Sequence, residues 1–351
     1  MGTSSASGWI AGSVNTESLR RRHMEAVTVV IPTRNRPELL RLTLWSVLRQ
    51  RDVDLSVVVV DEASSEETAH VVSSFADPRV RVVRHETPTG VSRARNAGVS
   101  EAKGTWVAFC DDDDLWSPEK LQRQLALARS LGRDWAYTGC VYVNSELIVQ
   151  NGAPPLQPEP LVAALQRYNA VPAGASNVVV RRDVLARLGG GFDASLTHLP
   201  DWDLWLRLAR HGVPACVQEP LVGYRLHGGN ASFRTMEMLA ELSGFERRHG
   251  IIADRSRFHR HLAYLCLRSG RRREALGHLL RALIRVQDGF SRVDLMTDLR
   301  LVRAHAADIV QRRLGRPPSP RAAHRLQAAR QRDPNAVWKA QAQAWLDKLP
   351  R

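Results

Sequence analysis

The sequence predicts an α/β protein: a Rossmann-like, mostly parallel sheet flanked by helices, followed by an α-helical C-terminal module. Three observations predict this fold class. Uncharged runs of β-branched, aromatic or small residues recur at 27–31, 55–60 and 105–110, as strands buried on both faces of a parallel sheet require. Stretches with helical periodicity alternate with them, the pattern of βαβ units with right-handed crossovers. From residue 235 onward only helical periodicity is seen.

In order, VTVVI at 27–31 is the first strand and Pro32, Thr33, Arg34, Asn35 and Arg36 a loop, after which Pro37 starts a helix with Leu40, Leu44, Val47 and Leu48 on one face. LSVVVV at 55–60 is the second strand and ends on Asp61 and Glu62. Glu66 to Phe75 read as a helix and VRVVR at 80–84 as a third strand. GVSRARNAGVS at 90–100 is a loop leading into a helix that Gly104 is expected to close. The strand at 105–110 then ends abruptly in Asp111, Asp112, Asp113 and Asp114, before a helix begun by Ser117, Pro118 and Glu119. Farther on, Pro200 opens a helix in HLPDWDLWLRLAR, and LVGYRLH at 221–227 is strand-like, with a Gly228–Gly229–Asn230 loop behind it. The stretch 258–286 gives two amphipathic segments split by Ser269 and Gly270, and helical segments follow at 293–314 and 318–347.

Length and a 44% apolar fraction allow a substantial core. Cys110, Cys140, Cys216 and Cys266 lie far apart in apolar surroundings, without zinc-site or disulfide spacing, so buried free thiols in a reducing cytosol are expected. No apolar run approaches the ~20 residues of a spanning helix. Residues 1–26 lack an apolar signal segment and are expected to be a flexible lead-in. The net charge of +14 is concentrated: residues 1–234 hold 26 Lys+Arg against 25 Asp+Glu, whereas 235–351 hold 24 against 11. That excess points to an anionic partner for the last third, a membrane surface or nucleic acid. Only four of the 50 basic residues are lysines, so a compositional bias toward arginine weakens the signal.

Four adjacent carboxylates at the carboxyl end of a buried strand stand where open α/β sheets bind ligands. Their mutual repulsion calls for a cation, and oxygen-only ligation favours Mg²⁺ or Mn²⁺ held together with substrate phosphates. The bland alternative is a solvated acidic turn. Asp61, at the end of another strand, is suited to hydrogen bonds from a nucleotide base or ribose, or merely to capping a turn. No G-x-G-x-x-G follows the first strand and no P-loop is present, which argues against a dinucleotide oxidoreductase or a P-loop ATPase.

VTVVIPTRNRPELLRLTLWSVLRQ, VVVVDEASS, GVSRARNAG, GTWVAFCDDDDLWSPEKL and GGGFDASLTHLPDWDLWLRLARHG together resemble the family 2 glycosyltransferases, in order and spacing, over residues 27 to about 234. The resemblance implies a GT-A-type nucleotide-sugar fold and inverting transfer with a divalent metal. It also implies site residues. Asp111 and Asp113 match the acids of the D-x-D motif, Asp113 as the direct metal ligand, with Asp112 and Asp114 beside them. Asp61 matches the acid that recognises the donor base, usually uracil, while Pro32, Thr33, Arg34 and Arg95 match positions lining the nucleotide. Asp201 matches the expected general base, and His227 a position that approaches the metal or diphosphate. Two departures stand out: DEAS at 61–64 replaces the commoner D-D-G-S with Glu62 and Ala63, and Pro200 replaces an acid before Asp201.

For several of these residues a structural reading competes. Asp201 would complement the dipole at a helix N-terminus, and His227 would serve as a hydrogen-bonder at a strand end. Asp203 is read as structural, Trp202 and Trp205 as core or as an acceptor platform, and Arg225 as within reach of the phosphates.

The expected protein is a cytoplasmic enzyme, peripheral at the inner face of the plasma membrane or free of it. It transfers a sugar, from a UDP-sugar by preference, to a glycan or lipid-linked acceptor in bacterial surface-polysaccharide synthesis. Residues 1–26 are the lead-in, 27–234 the catalytic domain and 235–351 a basic helical module. That module packs on the catalytic domain, touches anionic lipid or supports a homodimer. Two rivals stand beside this reading. A sugar nucleotidyltransferase expects a glycine-rich basic loop after the first strand, and PTRNRP has no glycine. A non-catalytic nucleic-acid binder explains the C-terminal arginines but not strands ending in carboxylates.

Overall fold

The computed structural model describes residues 24–227, 235–268, 271–284 and 335–350. Expectations for most of the lead-in, the 228–230 loop, the 269–270 break and the segment 293–314 lie outside them. Among the described residues nine strands form one sheet: β1 (Ala26–Thr33), β2 (Asp54–Glu62), β3 (Val80–His85), β4 (Trp106–Phe109), β5 (Leu115–Trp116), β6 (Trp135–Val143), β7 (Val149–Ala153), β8 (Val179–Arg181) and β9 (Ala215–Arg225). Their order is β3-β2-β1-β4-β8-β6-β9-β5, with β7 paired to β6.

β3, β2, β1 and β4 are mutually parallel, as the βαβ alternation predicts. The other half is mixed. β8 is antiparallel to both β4 and β6, and β5 to β9, whereas β6 and β9 run parallel. Only the first half has a helix between every pair of strands, so only there does sequence alternation specify parallel pairing.

Residues of β1 and β2 alternate between two cores. Val30, Val58 and Val60 face one with Phe109, Trp202 and Trp205, while Val29, Ile31, Val57 and Val59 face the other with Leu40, Leu44 and Val47. The last three belong to α1 (Pro37–Leu48), which Pro37 opens. α2 (Glu66–Ser74), α3 (Val91–Ser100) and α4 (Lys120–Ser130) complete the first half. α5 (Pro158–Leu165), α6 (Arg182–Arg187) and α7 (Pro200–His211) belong to the second. Trp202 and Trp205 are both fully buried, which places them in the core. Asp203 is buried too, paired with Arg207 at 2.5 Å and His249 Nε2 at 2.9 Å. Gly104 does not close α3, which ends at Ser100. A Cβ there would stand 2.7 Å from the Ala26 carbonyl oxygen, so the glycine lets the chain pass against β1.

Beyond residue 234 the chain remains helical in α8 (Thr235–His249), α9 (Arg255–Arg268), α10 (Arg272–Ile284) and α11 (Ala336–Leu346). α8 joins the first core through Leu242 and Phe245, the Phe245 ring lying 4.8 Å from Trp202. α11 packs on the sheet through Trp338 and Trp345, whose indole nitrogens donate to the carbonyls of Gln218 and Pro220. At Gly139 a Cβ would overlap the Trp338 ring, so a glycine in the strand opens the seat for it. Among the described residues no helix is long and apolar enough to cross a membrane.

Lys120, the first residue of α4, is fully buried, with its ammonium 2.9 Å from Gln124 Oε1 and 3.9 Å from the Trp116 ring centre. Burial without an acid partner pulls its pKa down from 10.5 to about 7. Between those pH values the unfolded chain binds the extra proton, so this residue's effect on stability is worst below pH 7 and improves as pH rises toward 10.5. Lys120→Met is therefore expected to stabilise the protein at pH 7 by a few kcal/mol. The upper bound is about 5 kcal/mol from the shift, less ~1 kcal/mol for the lost hydrogen bond. Urea titrations at pH 7 and pH 10 should show the advantage shrinking at the higher pH.

Candidate active site

The site lies at the carboxyl ends of β1, β2 and β4, where loops rather than ladder bonds dictate the backbone. After β4 the chain turns through Asp111–Asp114, closed by the Asp114 N–H on the Asp111 carbonyl at 3.1 Å. The turn's backbone is held from outside. Ser176 Oγ accepts from the Asp111 N–H at 2.9 Å, and Thr43 Oγ1 donates to the Asp112 carbonyl at 2.9 Å. Arg225, 4% exposed, donates to the carbonyls of Asp113 and Leu39. Its guanidinium braces the acidic turn.

With the backbone fixed, the four carboxylates take different surroundings. Asp111 Oδ1 accepts from Arg95 Nη2 at 2.5 Å. Asp112 accepts from Thr33 Oγ1 at 2.8 Å and from Arg36 Nη1 at 3.1 Å. Asp113 Oδ2 accepts from Arg36 Nη1 at 2.9 Å and lies 2.9 Å from His227 Nε2. Asp114 points inward, wholly buried. One of its oxygens accepts weakly from the Arg225 N–H at 3.3 Å, and the other has no partner among the described residues.

Electrostatics follow this division. Burial, then Asp113, pushes the Asp112 carboxyl up to about 6 against Arg36 and Thr33. Burial, then Asp113 and Asp111, drives Asp114 well above the usual range. Burial raises Asp111 as well, with Arg95 opposing. For Asp113, burial works upward but is outweighed by His227 and Arg36, and its carboxyl sits below the usual range.

One oxygen from each of Asp111, Asp113 and Asp114 lies within 4.8 Å of the others. This is an all-oxygen set, and one buried oxygen is left unpartnered. Both features suit a hard divalent cation.

Arg95, on α3, is 4% exposed and spans two acids: Nη2 reaches Asp111 and Nη1 donates to Asp201 Oδ1 at 2.7 Å. Asp201 sits in the first turn of α7 behind Pro200, and its Oδ2 accepts from the Ala175 N–H at 3.1 Å. Gly174 takes φ +51°, and a Cβ there would stand 2.7 Å from Asp201 Oδ2, so glycine is what the approach allows. Residues 90 positions apart in sequence thus converge on one guanidinium.

The strand register sets Asp61 beside Thr33. Asp61 accepts from the Ser64 N–H at 2.9 Å and from Arg84 on the edge strand β3. Ala63 takes φ +54°, where a glycine is favoured, so the turn keeps its shape despite the substitution. Pro32 is buried within β1. Arg34 is exposed and stands outside the network.

Of the expected residues, Thr33, Arg95, Asp111, Asp112, Asp113, Asp201 and His227 form one connected set. Arg36, Arg84 and Ser176 were not assigned from sequence. Arg36 was legible in principle, as a cation in the PTRNRP loop facing an acidic turn. Arg84 becomes visible only once β3 is set in register with Asp61.

A family model described as Glycosyl transferase family 2 matches residues 28–189. An uncharacterized glycosyltransferase of Bacillus subtilis (strain 168), YwdF, is 30% identical over 194 residues, covering 52% of this chain and 68% of that protein. The Escherichia coli UDP-Glc:alpha-D-GlcNAc-diphosphoundecaprenol beta-1,3-glucosyltransferase WfaP is 25% identical over 232 residues, covering 66% of this chain and 89% of that protein. Among solved structures, S. aureus TarS 1–349 in complex with UDP-GlcNAc shares the fold, with a TM-score of 0.51 at 19% identity over 76% of this chain and 74% of that one.

Proposed function

The chain belongs to glycosyltransferase family 2, and from that premise we propose that it is an inverting, metal-dependent enzyme of polysaccharide synthesis, transferring a sugar from a UDP-sugar to a hydroxyl of a glycan or lipid-linked acceptor. The observation that carries the reading is the bridge of Arg95 between Asp111 and Asp201, which links a donor-side acid to a candidate base across one crevice. As its name states, WfaP uses UDP-Glc and a diphosphoundecaprenol-linked acceptor, and TarS was solved with UDP-GlcNAc. The same chemistry is assigned to this chain as a proposal.

Asp61 receives the donor's base, with Thr33 and Pro32 forming the floor of the nucleotide cleft. Asp113 and Asp111, with Asp114 behind them and His227 beside Asp113, would hold a Mn²⁺ or Mg²⁺ ion, which when bound supplies positive charge for the departing diphosphate. Asp201 takes the acceptor hydroxyl's proton as that oxygen attacks the anomeric carbon from the face opposite the diphosphate. Arg95 holds Asp201 aimed, its Nη1 donating to Asp201 Oδ1 at 2.7 Å. Residues 27–234 form the catalytic unit. The basic segment 235–351 carries any contact with anionic lipid or a second copy.

The stereochemistry of the product tests the mechanism. An α-linked donor is expected to give a β-linked product, read from the anomeric proton coupling. A retained configuration would contradict direct displacement with Asp201 as base.

A further inference from the structure

Glu62 stands where the family more often has aspartate, and the reaction outlined above does not use it. Its carboxylate is 6% exposed and accepts four contacts, all from one short segment. Oε1 accepts from Thr89 Oγ1 at 2.9 Å and lies 2.5 Å from His85 Nδ1, while Oε2 accepts from the backbone N–H groups of Thr89 at 2.8 Å and Gly90 at 2.6 Å. An ionised carboxylate offers about four acceptor positions, so none is left for a donor molecule. Burial alone would raise its pKa, but the bonds from His85, Gly90 and Thr89 outweigh that and keep it ionised.

The segment it holds is the entrance to α3. Gly90 precedes the helix with φ +94°, and α3 has no side-chain cap of its own. The N–H of the residue that caps a helix needs an acceptor. Glu62, projecting from the neighbouring strand β2, supplies it to Gly90 and accepts from the preceding Thr89 N–H as well. Five residues past Gly90, Arg95 leaves α3 to span Asp111 and Asp201. We propose that Glu62 is a positioning residue that fixes the start of α3 and thereby sets Arg95 between the donor-side acid and the base. Aspartate, one methylene shorter, is expected to lose part of this set of bonds.

The inference rests on the functional reading above and is tested in two arms with Glu62→Gln, Glu62→Ala and Glu62→Asp. Glutamine keeps an oxygen toward the Thr89 and Gly90 N–H groups and turns its amide toward Thr89 Oγ1 and His85, both able to accept. In kinetics, Glu62→Gln is expected to retain wild-type kcat, whereas Glu62→Ala and Glu62→Asp lose about tenfold in kcat with little change in donor KM. In hydrogen exchange followed by mass spectrometry, the peptide spanning 86–95 is expected to exchange faster in Glu62→Ala and at the wild-type rate in Glu62→Gln. A Glu62→Gln variant as impaired as Glu62→Ala would overturn the proposal, because charge rather than geometry would then be at work. Wild-type kcat and exchange in Glu62→Ala would overturn it too. If the wild type turns over no nucleotide sugar, the functional reading fails by itself and the exchange arm alone decides on Glu62.

Discussion

Asp201→Asn is expected to lower kcat by roughly 10²- to 10⁴-fold, the usual worth of general base assistance. Asparagine is isosteric: its Oδ1 can still accept from Arg95, while its amide gives up the bond from the Ala175 N–H. It cannot take a proton. With a side chain 22% exposed, Asp201 is open to an acceptor hydroxyl while remaining anchored at both oxygens. Donor affinity is therefore expected to stay at the wild-type value, since Asp201 touches Asp111 only through Arg95. Steady-state kinetics with saturating donor, paired with donor calorimetry, separate the two quantities. Equal kcat in the variant would mean that the acceptor is deprotonated elsewhere.

The second large effect is expected at Asp113. Asp113→Ala removes the most acidic member of the cluster and leaves Arg36 and His227 facing a gap. Metal-dependent donor binding is expected to fall below detection, and kcat/KM with it, by at least 10²-fold if the cation supplies several kcal/mol to the departing diphosphate. The contrast with Asp201→Asn is the informative part. One variant loses binding, the other only turnover. Calorimetry with and without Mn²⁺ distinguishes them, and Asp113→Ala binding donor as tightly as wild type would remove the acid cluster from the donor site.

The first half of the fold was legible because β1, residues 55–60 of β2 and β4 are uncharged runs separated by helices, and such runs permit little besides a buried parallel sheet. The second half was not. β8 has three residues and β5 two, too few for any periodicity, and their pairing with β4 and β9 is settled by tertiary packing. The site divides in the same way. Asp111 to Asp114 are consecutive and follow a strand, so their shared location could be read directly. The contact of Asp201 with Arg95 spans 106 positions and depends on the Gly174 turn, which no local pattern announces. Arg225 shows what sequence alone leaves out: an arginine at a strand end near acids reads as within reach of phosphates, and only the fold shows it buried and donating to the carbonyls of Asp113 and Leu39 and to Thr43 Oγ1. Trp202 and Trp205 were ambiguous because indoles serve both cores and sugar platforms, and their complete burial decides for the core.

The central claim, that this crevice binds a nucleotide sugar through a cation on the acidic turn, is tested most directly by calorimetry of the wild-type protein with a panel of nucleotide sugars in the presence and absence of Mn²⁺. The expected result is binding of a UDP-sugar with Mn²⁺ that disappears when the metal is chelated. Failure of every nucleotide sugar to bind under any metal condition would contradict it.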